Sequence, residues 1–248
     1  MRHVVWFSCG AASAVVAKIT LEKYPDTCEI VYCDTLAYEH PDNIRFLKDC
    51  EKWFGKEIKI IRSEKYKDIY EVFNKGWLVG IKGAACTTEM KRIPRKKYQI
   101  PGDVNVWGYT FEEKQRIDRY LENNIDDSIF PLYENKITKQ DCHTILNKAG
   151  IEQPTMYKLG YKNNNCIGCV KGAQGYWNKI RVDFPEIFEK MAKLERRLNV
   201  SVNKKYVKKK RIRVFLDELP IDAGRYEQEA DITCGVICEG LNDEEENK

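Results

Sequence analysis

No apolar run in this sequence approaches the roughly 18 residues that a bilayer-spanning helix needs, so no transmembrane segment is expected. The first residues, MRHVVWFSCG, lack the long apolar segment and small-residue cleavage site of a secretory leader, and a cytoplasmic location is expected. Histidine is scarce. Only His3, His40 and His143 occur, which argues against a zinc hydrolase built on several histidine ligands. Strong charge is also missing: 42 basic against 38 acidic residues leave +4, which allows a nucleic-acid partner without demanding one. Cysteine, by contrast, is plentiful. Ten in a chain without a leader point to thiol or metal chemistry rather than a disulfide framework. With 248 residues the chain is long enough for one large domain, or for a domain with an appendage.

The chain is organised around its first twenty-odd residues. Val4 to Phe7 is apolar without alternation, which predicts a buried parallel strand. Ser8-Cys9-Gly10-Ala11-Ala12-Ser13 follows, all small, and Ala14 to Lys23 reads as a helix. A small-residue turn between strand and helix lets backbone approach a ligand and leaves the first helical N–H groups for an anion. Further βα units are expected: a strand at 29–33 ending in Asp34-Thr35, a helix at 41–54, a strand at 58–61 and a short helix at 66–74. Alternation at this spacing predicts an open, mostly parallel sheet with helices on both faces. Ligands in such sheets sit beyond the carboxyl ends of the strands, where Ser8–Ser13 and Asp34-Thr35 fall.

The middle of the chain is less regular. Residues 77–81 read as a strand or as a continuation of the preceding helix. Gly83 to Glu89 looks like a loop entering a helix capped by Thr87 or Thr88. Lys91, Arg92, Arg95, Lys96 and Lys97 form either a solvated basic face or an anion-binding one. A strand at 103–108 leads to a helix at 112–121, in which Glu113 and Arg116 are spaced either to pair or to line the mouth of the site. A last strand is expected at 129–132. Thr138 and Asp141 form a capping-box pattern before a helix in which Cys142 reads as core.

The densest chemical signal is the polar loop Tyr161–Gly172, which holds the CxxC pair Cys166 and Cys169. A second pair, Cys234 and Cys238, lies near the C-terminus, and Cys86 sits in an earlier loop. Soft thiolates from three loops suit zinc or an iron–sulfur cluster, a CxxC also suits a redox dithiol, and spacing does not choose among them. Phe184 to Leu198 reads as an amphipathic helix. Residues 204–213, KKYVKKKRIR, read either as a phosphate-binding stretch or as a solvated hairpin or helix end that balances the acidic tail at 243–246. The tail itself is expected to be disordered.

Together, Ser8–Ser13, Asp34-Thr35, the C-T-x-x-M-K-x-x-P run from Cys86 to Pro94, and Gly108-Tyr109 with Glu113 and Arg116 resemble the phosphoadenosine phosphosulfate reductase family of the adenine nucleotide α-hydrolase, or PP-loop, superfamily. The resemblance covers residues 1–185. It implies a Rossmann-like adenine-nucleotide domain there, with 186–241 as an extension returning cysteines to the site and 242–248 as the tail. It implies phosphate or sulfate binding at Ser8, Cys9, Gly10, Ala11 and Ser13, with Asp34, Thr35 and Gly108 near the nucleoside. Lys91, Arg116 and Arg181 become anion contacts. Cys234 becomes the nucleophile, and Cys86, Cys166, Cys169 and Cys238 become ligands of a [4Fe–4S] cluster, with zinc as the alternative metal.

The chain departs from the family pattern at four points, one being Thr233, which stands before Cys234-Gly235 where the family's C-terminal Glu-Cys-Gly carries glutamate. Cys9 stands where PP-loop pyrophosphatases carry glycine, Ala12 where they carry aspartate, and Ala85 where cluster-bearing reductases carry a cysteine. The expected activity is a sulfonucleotide reductase using a cysteine thiolate and a thioredoxin-like thiol reductant. The alternatives are an ATP-dependent nucleobase sulfur transferase acting on tRNA or DNA, and a non-catalytic nucleotide-binding module.

Overall fold

The computed structural model describes residues 1–75, 77–80, 83–208 and 210–232. The chain divides into two compact units: residues 1–63 with 90–164, and 64–89 with the chain from 165 onward. The break after Asn164 precedes the expected boundary at 185, so the CxxC loop groups with the later helices.

The first unit is the expected open α/β sheet. Its strands are β1 (His3–Phe7), β2 (Cys28–Cys33), β3 (Lys59–Ile61), β4 (Val104–Val106) and β5 (Ser128–Ile129). They pair in the order β3-β2-β1-β4-β5, all parallel. β1 is central: Val5 lies beside Ile30 on one side and Val106 on the other. That placement explains its unbroken apolar run, since a middle strand covered on both faces has no solvent side. Helices α1 (Ala11–Lys23), α2 (Asn43–Phe54), α3 (Ile93–Tyr98), α4 (Lys114–Asn123) and α5 (Lys139–Lys148) complete the unit. α1 is buried nearly all round from Ala11 to Ala17, and its small side chains permit the close approach of its neighbours. Val15, Val16, Ile30, Phe46, Leu132 and Leu146 share its core. From β1 the sheet grows one way to β3, then returns to place β4 on the other side of β1. The carboxyl ends of β1 and β4 therefore flank the switch point of the topology, where crevices form in such sheets.

Three local expectations are corrected. Neither Thr87 nor Thr88 caps a helix: the turn Ala85–Thr87 starts behind Ala84, because residues 83–84 pair with 79–80 and the chain bends at once. β5 ends at Ile129 and not 132, because Pro131 opens a helical turn, Pro131–Glu134. Among the described residues, 77–80 contribute the strand Val79–Gly80, antiparallel to Gly83–Ala84.

The second unit contains α6 (Gln174–Asp183), α7 (Pro185–Leu198) and a hairpin of β6 (Asn203–Val207) with β7 (Lys210–Val214). Trp177, Ile180, Met191, Leu194 and Leu216 are buried in it. Glu195 on α7 is fully buried, and its carboxylate accepts from the Val202 N–H at 2.5 Å and the Leu216 N–H at 2.7 Å. Burial pushes its pKa up to about 7 despite those donors. The hairpin turns through Lys208 at φ 48°. That left-handed conformation costs a side chain other than glycine or asparagine roughly 1 kcal/mol. No described helix is long and apolar enough to cross a membrane.

Candidate functional site

The first loop is held by two hydroxyls. Cys9 sits at φ 55°, the left-handed turn that lets the chain swing from β1 into α1. Ser13, one turn into the helix, folds back over the loop. Its Oγ accepts from the Ser8 N–H at 3.1 Å and the Gly10 N–H at 3.2 Å, and donates to the Gly10 carbonyl at 2.9 Å. The Ala11 N–H donates to the Tyr157 hydroxyl at 3.3 Å. Several donors expected to await an anion thus have protein partners, and an anion at the α1 N-terminus has to replace Tyr157. Cys9 itself is fully buried and its pKa is pushed well up by desolvation, so its thiol is a core group.

Gly108, at the carboxyl end of β4, faces the same turn. A Cβ there would lie 3.2 Å from the Ser13 Cα and 3.3 Å from the Ala12 carbonyl. The missing side chain is what allows β4 to lie against the first turn of α1, and it keeps the switch point narrow.

The second loop is joined to the first by a buried polar chain that the sequence did not announce. The Thr35 hydroxyl donates to Glu39 at 2.6 Å, and the Asn43 amide donates to the other Glu39 oxygen at 2.7 Å. Asn164 Nδ2 then donates to Asn43 Oδ1 at 2.8 Å and to the Cys9 carbonyl at 2.6 Å. Asn164 is 5 % exposed, and its Oδ1 has no partner among the described residues. Its only trace in the sequence is the run Asn163-Asn164-Asn165. Asp34, by contrast, accepts from the Leu36 N–H at 3.2 Å and pairs with Arg62 at 2.7 Å.

Of the basic candidates, Arg116 pairs with Glu113 and lies 4.4 Å from the Tyr109 ring centroid. Glu113 also accepts from the Thr110 N–H at 2.9 Å, so the pair is anchored at the end of the β4 loop. The Lys91 carbonyl takes the Cys33 thiol at 3.6 Å. Arg181 belongs to the second unit. It donates to the Leu216 and Leu219 carbonyls at 3.1 and 2.7 Å and stacks on Phe188, a role that fixes the segment after the hairpin.

The CxxC loop is a stapled turn. Gly168 takes φ 73°, and a Cβ there would press on Ile187 at 2.7 Å. The Tyr176 hydroxyl accepts from the Cys169 N–H at 2.9 Å and donates to the Cys166 carbonyl at 3.3 Å. Burial raises the Tyr176 pKa well above the phenolic range, so this staple stays protonated. Asn165, beside Cys166, donates to the Ile232 carbonyl at 2.7 Å. Cys86 lies in the same unit, in the turn Ala85–Thr87. Two soft thiol donors on one turn suit part of a zinc or iron–sulfur ligand set. Among the described residues, however, no three of His, Cys, Asp and Glu gather closely enough to hold a metal ion. Cys234 and Cys238 lie outside the described residues. Cys28 and Cys142 are buried thiols, with pKa values pushed up to about 11 and about 12 by desolvation, and Cys50 is raised by the same cause.

No family model matches the chain. An uncharacterized protein of Methanocaldococcus jannaschii is 23% identical over 199 residues, 75% of this chain, and the chain spans 40% of that relative's length. A phosphoadenylyl-sulfate reductase from Candida auris, solved as a phosphate complex, has a TM-score of 0.49 at 12% identity, covering 67% of this chain and 81% of its own. A U34-tRNA thiolase from Methanococcus maripaludis, solved with its [4Fe–4S] cluster, has a TM-score of 0.40 at 12% identity, covering 80% and 72%. The reductase is of the family that the motifs resemble. Likeness at these scores transfers no residue role and no reaction to this chain.

Proposed function

We propose that this chain is a PAPS reductase-like enzyme of the PP-loop superfamily, which binds an adenylated sulfate and transfers its sulfur to a cysteine thiolate. The observation that carries the reading is the first loop at the switch point of a parallel sheet. Gly108 lets β4 lie against the first turn of α1, Asn164 fixes the Cys9 carbonyl, and the Ala11 N–H at the α1 N-terminus donates to the Tyr157 hydroxyl. In this reading a phosphate or sulfate oxygen replaces that hydroxyl as the acceptor for the Ala11 N–H. Arg116 and Lys91 add positive charge for the transferred group.

The nucleophile in this reading is Cys234. A thiolate is the suitable group because attack at sulfur wants a soft nucleophile near neutral pH. Its sulfur bonds to the sulfate sulfur, the S–O bond to the nucleotide breaks, and the nucleotide leaves with that electron pair. A thioredoxin-like dithiol then attacks the S-sulfonate, releases sulfite and is oxidised to a disulfide. The support is the order of motifs that the chain shares with that family, with Cys234-Gly235 near its C-terminal end. Cys166, Cys169 and Cys238 are donors proposed for a metal centre, with Cys234 competing with Cys238 for that place. Cys86 is the fourth donor proposed for that centre. An iron–sulfur cluster or zinc there would hold the four thiolates together.

Anaerobic incubation with labelled adenosine phosphosulfate and its 3′-phosphorylated form tests the reading, with Cys234→Ser as control. An S-sulfonate on Cys234 supports it, and intact protein that binds neither nucleotide ends it. A second reading, ATP-dependent sulfur transfer to a nucleobase, is favoured by one observation, the cationic hairpin of the second unit. Pyrophosphate release from ATP that depends on added nucleic acid would select it.

A further inference from the structure

The β6–β7 hairpin gathers positive charge in a way that works against its own stability. Lys204 lies directly opposite Arg213 in the antiparallel register, and both are exposed. Like charges across a strand pair repel. Lys205, Lys208 and Lys210 are exposed too, and none of them forms an ion pair with another described residue. Val207 pairs with Lys210, so two residues make the turn. Two-residue hairpin turns favour Asn-Gly or Asp-Gly, because the backbone has to adopt positive φ. Here Lys208 takes φ 48°. Turn chemistry and cross-strand pairing have both given way to cations here, and departures of this kind from local rules are expected at functional surfaces.

We propose that this hairpin is a docking surface for the phosphodiester backbone of a nucleic acid. Charge complementarity selects that occupant. Residues 204–213 carry seven Lys and Arg and no acid, whereas the acidic run at 243–246 carries four carboxylates, so the chain's own tail leaves three cations unmatched. A polyanion with closely spaced phosphates neutralises all of them and gains from counterion release. A two-stranded ribbon also has the shape that a nucleic-acid groove admits. The surface belongs entirely to the second unit, so the inference stands apart from the nucleotide chemistry assigned to the first.

The test is fluorescence anisotropy of the full chain with a labelled structured RNA and a labelled DNA duplex across a salt series. With about four phosphate contacts, affinity falls by roughly 100-fold from about 50 to about 200 mM salt. The triple variant Lys205→Glu, Lys208→Glu, Lys210→Glu loses binding to both probes by more than about tenfold and flattens the salt slope by about three units. The corresponding triple arginine variant keeps both. Lys208→Asn separates charge from architecture: it raises the unfolding midpoint by relieving the turn, yet weakens binding. Adenine-nucleotide binding is measured in parallel and stays unchanged in all three. Failure of either nucleic acid to bind, or binding that the glutamate variant leaves intact, overturns the inference. So does equal binding to anionic vesicles. A more than tenfold gain on neutralising the tail (Asp243→Asn with Glu244→Gln, Glu245→Gln and Glu246→Gln) would also overturn it, by making the tail the resident partner.

Discussion

Replacing Asn164 by alanine removes one side chain that ties the first loop to the second. Its Nδ2 makes two bonds, 2.6 Å to the Cys9 carbonyl and 2.8 Å to Asn43 Oδ1, at a site 5 % exposed. Neither acceptor has solvent to turn to, and each buried group left without a donor costs about 1–3 kcal/mol. Water entering the vacated space recovers part of this, so the expected loss is about 2–4 kcal/mol. Urea unfolding reads it as a lower midpoint at an unchanged slope. Asn164→Asp is predicted to be worse at neutral pH, because a carboxylate then faces two acceptors and the Glu39 carboxylate beyond them. The introduced carboxyl has a raised folded-state pKa, so stability returns as pH falls and the group gains a proton to donate. Asn43→Ala combined with Asn164→Ala should be non-additive by at least about 0.5 kcal/mol, since the two share one bond. If Asn164→Ala costs less than about 0.5 kcal/mol and adenine-nucleotide affinity is unchanged, the chain from Thr35 to Cys9 is incidental and the loop is held by Ser13 alone.

Glu195 predicts a pH dependence of stability. Its folded pKa of about 7 exceeds the ordinary glutamate value of about 4.3. Between the two the folded chain holds a proton that the unfolded chain releases, so stability falls as pH rises through that window, by up to about 4 kcal/mol. Glu195→Gln should flatten this slope in urea titrations, and an unaltered slope would refute the assignment. Arg95 is 4 % exposed, its Nε and Nη1 have no partner among the described residues, and its guanidinium stacks 4.8 Å from Trp107 and 5.5 Å from Trp6. Burial lowers its pKa to about 10. Arg95→Met is expected to be neutral or stabilising by about 1–3 kcal/mol; a clear loss would mean that the indole faces more than offset the desolvation. Tyr157→Phe removes the hydroxyl at the Ala11 N–H only from the unliganded state, so adenine-nucleotide affinity should rise about three- to tenfold. An equal or larger fall would mean that the hydroxyl serves the ligand instead.

The parallel sheet was readable because its signals are local: an unbroken apolar run for β1, alternating strand and helix lengths, and a small-residue turn. The Glu113–Arg116 pair followed from helical spacing and Thr138 from capping chemistry, and both are present. Elements that depend on a neighbour were less visible. The Thr87 cap failed because strand pairing at 79–84 set where the helix starts. Arg181 looked like an anion contact, yet its partners are carbonyls 35 and 38 residues away. Glu39, Asn43 and Asn164 read as ordinary loop and helix residues until folding brought them together. The hairpin's charge was plain in the sequence, but its unfavourable turn and like-charge register appear only with the backbone.

The central claim is that the adenine nucleotide binds at the carboxyl ends of β1 and β4. A rival cleft of 380 Å³ opens at the amino ends of β1 and β2, lined by Arg2, Glu29, Lys56 and Lys59 among others. Equilibrium binding of adenosine phosphosulfate to Gly10→Leu and Lys56→Ala separates the two. Gly10 has φ −105°, a conformation open to any residue, and a side chain there fills the space beside the Tyr157 hydroxyl. The account predicts that Gly10→Leu abolishes binding with the fold intact, while Lys56→Ala binds as the unaltered chain does. Binding that survives Gly10→Leu and fails in Lys56→Ala would contradict it.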